Sequence, residues 1–167
     1  MFTKVLGLWK PRERLRAFLP MTGWNTPAPQ RVTASYTSGY LNMHPWFPFT
    51  WGEVPGAEWG SGPPDWPPTW WQIDLGKEVD VYEINLQYGS PLRGFPINMI
   101  IDASNDGSTW TRIHAFPQID YYPAELSTWK SDTPRRFRYW RFSQTAPLSG
   151  NRSWSGLSMV QMWAEKA

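Results

Sequence analysis

Two histidines, His44 and His114, and no cysteine set the chemical range of this 167-residue chain. Without a thiol, disulfides and thiolate metal sites are excluded. No Gly-x-Ser-x-Gly elbow supplies a nucleophile, and neither histidine has a second ligand at metal-binding spacing. His114 alternates with Ile113 in a strand-like run and reads as a surface residue. Glu53, Glu58 and Asp65 are the carboxylates that could form a glycosidase pair, but they share one loop with no rigid wall opposite. The chain is therefore expected to be no enzyme. Its abundant side chains are aromatic, with 13 Trp, 7 Tyr and 8 Phe. A pyranose has an apolar face of C–H groups and an edge of hydroxyls, so it needs an aromatic plate and a few fixed donors. Loops that mix Trp with Arg and Asn suit that task.

The elements that must hold such loops are strands. Trp71, Ile73 and Leu75 alternate with Gln72 and Asp74, the period of a strand with one buried face. Gly76 and Lys77 then turn the chain, and a second strand begins at Val79 and Val81. Its apolar phase slips to Tyr82, Ile84, Leu86 and Tyr88, which predicts a bulge near Val81. Further strands are expected at residues 32–36, 97–103, 110–116, 125–130, 137–143 and 157–163, with a hairpin signal at Asn105-Asp106-Gly107-Ser108 and a turn at residues 131–134. Residues 45–68 hold seven Pro, four Gly and four Trp, too many breakers for regular strands and too many aromatics for disorder. They read as one long ordered loop, accompanied by loops at 89–94 and 146–155. Seven or more short strands joined by turns predict an all-β chain, an antiparallel β-sandwich of the jelly-roll kind.

Three motifs, Trp71-Gln72-Ile73-Asp74-Leu75-Gly76-Lys77, Asn105-Asp106-Gly107-Ser108-Thr109-Trp110 and Arg138-Tyr139-Trp140-Arg141-Phe142, resemble in order and spacing the discoidin or coagulation factor type C domain. That family includes galactose-binding carbohydrate-binding modules, and the resemblance covers residues 30–164. It implies the same sandwich and a binding site at one end of it. Arg93, in Ser90-Pro91-Leu92-Arg93-Gly94, looks like the family's loop arginine, whose guanidinium could fork to two adjacent hydroxyls. Asn151 and Trp154 resemble the polar and aromatic pair before the closing strand, and Trp46, Trp51 or Trp59 could add a second plate. His44 matches the family's early-loop histidine loosely. Many relatives hold a structural calcium, but Ser38 to Pro48 contains no Asp or Glu, so the carboxylate ligands are missing and no cofactor is expected.

The net charge of +2 hides an asymmetry. Residues 1–20 carry five Lys and Arg against one Glu, a net +4, which leaves −2 for the rest. An acidic body excludes a nucleic-acid-binding domain and disfavours a membrane surface. No secretory signal is read, because the apolar run at residues 5–9 is short and broken by Lys10-Pro11, and no transmembrane segment is present. Pro11 can open a helix of under three turns in which Leu15, Phe18 and Leu19 share a face, ended by Pro20. Residues 1–25 are accordingly expected to be a basic arm, docking on its own domain or on a protein partner, and residues 26–167 the sandwich. The expected function is a non-catalytic module that binds surface glycans, displayed on a larger assembly such as a phage virion or a cell exterior. A decoration or adaptor protein that binds no sugar is the alternative.

Overall fold

The computed structural model describes residues 13–35, 44–53, 59–60, 70–88, 99–117, 126–144 and 156–165. Its elements are β1 (Leu15–Arg16), β2 (Arg31–Ala34), a 3-10 turn (Phe47–Thr50), β3 (Trp59–Gly60), β4 (Trp70–Tyr88), β5 (Met99–Ser104), β6 (Thr111–Ala115), β7 (Ser127–Gln144) and β8 (Gly156–Ala164). Every pairing is antiparallel. The sheet runs β1-β8-β4-β7-β5-β6, with β2 added on β4 and β3 on β8.

Two long strands make this one sheet into two layers. β4 and β7 pair from Trp70 opposite Ser143 to Leu86 opposite Ser127, with a gap between Asp74 and Val79 where residues 75–78 face Arg138 alone. β7 folds back there: the rings of Trp129 and Trp140 lie 6.3 Å apart, whereas the eleven residue steps from one to the other would span ~36 Å in a straight strand. The front layer is β2, the first part of β4, the last part of β7, β5 and β6. The back layer is β1, β8 and the remaining parts of β4 and β7. Trp71, Ile73, Trp140, Phe142 and Ile101 point inward from the front, Ile84, Leu86, Trp129, Val160 and Met162 from the back, and all are buried in one core.

Gly76 is therefore a corner and not the hairpin turn that its sequence suggests. A hairpin would pair residues 70–75 with 79–86, but both halves pair with β7. Gly76 adopts φ +76°, donates its N–H to Asp74 Oδ1 at 2.7 Å, and leaves room for Pro29, whose Cγ would lie 2.4 Å from an added Cβ. Residues 131–134 are likewise no hairpin: they are an excursion of β7 opposite Tyr82, closed by Ser131 and Thr133 on each other. The register shift between Val81 and Glu83 is the expected bulge. The hairpin expected at residues 105–108 does form, with Asp106 accepting from the N–H groups of Thr109 and Ser108.

The N-terminal segment departs most from expectation. In place of a helix, Leu15 and Arg16 pair with Ala164 and Trp163 at the edge of β8, and Ala17 donates to the Met162 carbonyl. An exposed strand edge offers backbone partners that a short isolated helix cannot match. Phe18 and Met21 are buried in the common core. Arg14 lies over the Trp163 ring and pairs with the buried Glu83, which Lys130 and Asn85 also reach. Residues 13–25 thus belong to the body, so the boundary expected at residue 25 does not separate an arm from it. Residues 1–12 lie outside the described residues.

Candidate functional site

The fold-over of β4 and β7 decides where the loops leave. On the front layer Ala34 pairs with Trp71, Trp70 with Ser143 and Met99 with Gln144. On the back layer Leu86 pairs with Ser127 and Tyr88 with Leu157. With the corner at residues 75–78 forming one end of the sandwich, all these termini lie at the other. Residues 36–43, 61–69, 89–98 and 145–155 join them. Arg93, Asn151 and Trp154 fall in those segments, outside the described residues.

His44 and Trp46 are brought together. Their rings stack at 6.1 Å and 8° between planes, and each meets Phe47 edge-on. His44 is half-buried and its Nδ1 has no hydrogen-bond partner. Both precede the 3-10 turn, whose Phe49 packs on Phe142, two residues from the loop end of β7 at Gln144. Trp51 does not join them. It is buried among Phe18 and Trp163, at 5.2 and 5.0 Å between ring centroids, with the Arg16 guanidinium over it at 4.8 Å. Its ring is spent on the core and offers no plate to a ligand, a correction that the sequence of a Trp-rich loop could not foretell. The backbone of Trp59 pairs with Leu157, at the loop end of β8.

The outer face of the front layer carries residues that sequence reading passed over. Register aligns Thr33, Gln72, Arg141, Asp102 and Arg112 in one cross-strand row. Arg141 lies between two indoles, 4.5 Å from the Trp70 centroid and 3.8 Å from that of Trp110, and donates Nε and Nη2 to Gln72 Oε1. Burial pushes its pKa below the usual arginine value. One row below, Arg138 holds both oxygens of Asp74 at 2.7 and 2.8 Å. The only sequence signal was an Arg or Trp at alternate strand positions, which has no meaning until the register is known.

These groups are not arranged for bond-making. Asp74, Asp102 and Glu83 each answer a guanidinium, and Glu53 is exposed and paired with Arg16. Glu58 and Asp65 lie outside the described residues. His114 is half-buried against the edge of Phe116, and burial pushes its pKa down. Among the described residues no group of three His, Asp or Glu could hold a metal. Residues 38–48, where the resemblance implies a calcium loop, contain no carboxylate, and residues 38–43 lie outside the described residues.

Comparison with known proteins agrees with the geometry. The profile of the F5/8 type C domain matches residues 50–165. No curated protein matches the chain. Among solved structures, chitosan-binding module 1 of a chitosanase/glucanase from Paenibacillus sp. IK-5 superposes with a TM-score of 0.67 at 18% identity, covering 89% of this chain and 98% of that one. The family 32 carbohydrate-binding module of NanJ from Clostridium perfringens, solved with galactose, gives 0.65 at 14%, over 80% and 93% of the two chains. A fucolectin from striped bass serum gives 0.60 at 16%, over 81% of this chain and 46% of that one.

Proposed function

The chain belongs to the F5/8 type C domain family, and from that premise we propose that it is a non-catalytic carbohydrate-binding module whose site lies at the loop end of the sandwich. The observation that carries the reading is the convergence there of the strand termini bordering residues 36–43, 61–69, 89–98 and 145–155. Solved proteins of the same fold include one named for chitosan binding and one in complex with galactose, which supports a glycan as the partner. Trp154 serves as the plate, Arg93 and Asn151 as donors, and the stacked pair His44 and Trp46 as a flanking wall. A single site for one sugar residue binds weakly. Display of many copies on a larger assembly such as a virion, through the basic residues Lys4, Lys10 and Arg12, would raise it by avidity.

A glycan array followed by titration with galactosides tests the site. Arg93→Ala and Trp154→Ala are each expected to abolish measurable binding and to keep the melting temperature within a few degrees of the parent. Unchanged binding in both variants, or an intact protein that binds no glycan, overturns the proposal.

A further inference from the structure

A hollow opens along β2 at the edge of the front layer, from Arg31 opposite Asp74 near the corner to Ala34 opposite Trp71. It measures about 470 Å³ and is lined by Trp24, Asn25, Arg31, Val32, Thr33 and Ala34, within the ~300–1,000 Å³ range of small-molecule sites. All six precede residue 50, where the profile begins. Trp24 is one of three exposed large apolar side chains among the described residues, at 37%. Its backbone is held in place: the Trp24 carbonyl accepts from Val32 N–H at 2.8 Å, and the surrounding turn is closed by Thr22 N–H on the Thr26 carbonyl at 2.8 Å. An indole presented on a fixed turn is a preorganised plate.

The charge beside it is uncommitted. Arg31 is exposed and stands opposite Asp74 in register, yet both Asp74 oxygens are taken by Arg138. Thr33 stands opposite Gln72, whose carbonyl is taken by Arg141 in its clamp of two indoles. The neighbouring strands therefore satisfy one another and leave the Arg31 guanidinium to a ligand. The front face carries Arg31, Arg112, Arg138 and Arg141 against Asp74 and Asp102, an excess of two positive charges. A cationic fork, an amide, a hydroxyl and an aromatic plate together match a sugar ring that bears a carboxylate.

We propose that the hollow of Trp24, Asn25, Arg31 and Thr33 is a second glycan site, separate from the loop end, that takes one residue of an acidic polysaccharide, with the ring on Trp24 and the carboxylate on Arg31. This rests on the reading of the chain as a glycan-binding module. An anionic chain lying across the strands toward Arg141 and Arg112 follows the excess charge.

The test is calorimetric titration of the full chain with an oligogalacturonate and with a neutral cello-oligosaccharide of equal length, at low and physiological salt. The oligogalacturonate should bind in preference to the neutral sugar and weaken with salt. Trp24→Ala and Arg31→Gln should each lower its affinity about tenfold or more, leave galactoside binding at the loop end unchanged, and melt as the parent does. The proposal is overturned if the oligogalacturonate does not bind, if Arg31→Gln binds it as the parent does, or if it is lost in Arg93→Ala alone, which would assign it to the loop-end site. Tighter binding of a single-stranded oligonucleotide of equal charge, lost in the same variants, would also overturn it in favour of nucleic acid. Galactoside binding with no oligogalacturonate binding would sink this inference and leave the loop-end site standing.

Discussion

Phe18 offers the sharpest test of how the chain is built. It lies in a segment that its sequence marks as a detachable arm, yet it is 2% exposed and packs its ring on Phe49 at 5.7 Å and Trp51 at 5.2 Å. Those two rings are themselves part of the core, so truncation leaves a cavity between rigid neighbours with little to collapse into it. Phe18→Ala should then cost ~3–5 kcal/mol, which for a chain of this size lowers the melting temperature by about 6–20 °C. Deleting residues 1–20 should cost more. It removes β1 from the edge of β8 and takes Arg14 from the buried Glu83, leaving Lys130 at 3.9 Å. That second term falls short of the ~3–5 kcal/mol of a fully buried pair, because the Arg14 side chain is 49% exposed and water screens it. Urea denaturation followed by Trp fluorescence and by far-ultraviolet dichroism measures both variants. A loss below about 1 kcal/mol for Phe18→Ala, within the range of surface substitutions and errors, would refute the placement of Phe18 in the core. Sedimentation of the full chain beside one beginning at residue 13 separates this from assembly: a change in association without a change in stability assigns assembly to residues 1–12.

Gly76→Ala should destabilise by more than the ~1–2 kcal/mol of a left-handed alanine, because its Cβ would also meet Pro29 Cγ at 2.4 Å; an equally stable variant would show that the corner can be built otherwise. Asp106 accepts from Ser108 and Thr109 N–H and from Ser104 Oγ, and these bonds hold its carboxyl far below the usual 3.8. A depressed folded value gives stability that is present above the unfolded pKa and lost as the pH falls below it. Asp106→Asn should therefore flatten the acid limb of the stability profile below about pH 4, and an unchanged limb would discount the turn.

The strands that alternate were legible because period-two burial is local: Trp71, Ile73 and Leu75 read as core and are core. What those strands pair with was not. Gly76-Lys77 and residues 131–134 carry the chemistry of a turn, and the chain does change direction at both, but a hairpin, a corner and an excursion share that chemistry and differ only in the partner strand. The same blindness hid the N-terminal strand. Leu15, Phe18 and Leu19 fit one helical face, and only the free edge of β8 decides against it. At the loop end Arg93, Asn151 and Trp154 were legible through resemblance alone, and among the tryptophans nothing in the Pro- and Trp-rich loop distinguishes Trp51, which is core, from Trp46, which is partly open. Trp24 fell within the expected basic arm, because its companions in the hollow, Arg31 and Thr33, come from a later strand. One geometric fact connects these cases. Folding β4 and β7 at residues 75–78 brings the strand termini at Ala34, Trp70, Tyr88, Met99, Gln144 and Gly156 to one end and seats Pro29 on Gly76 at the other, so each end collects residues from distant parts of the chain. A surface assembled in that way has no local signature, whichever ligand it binds.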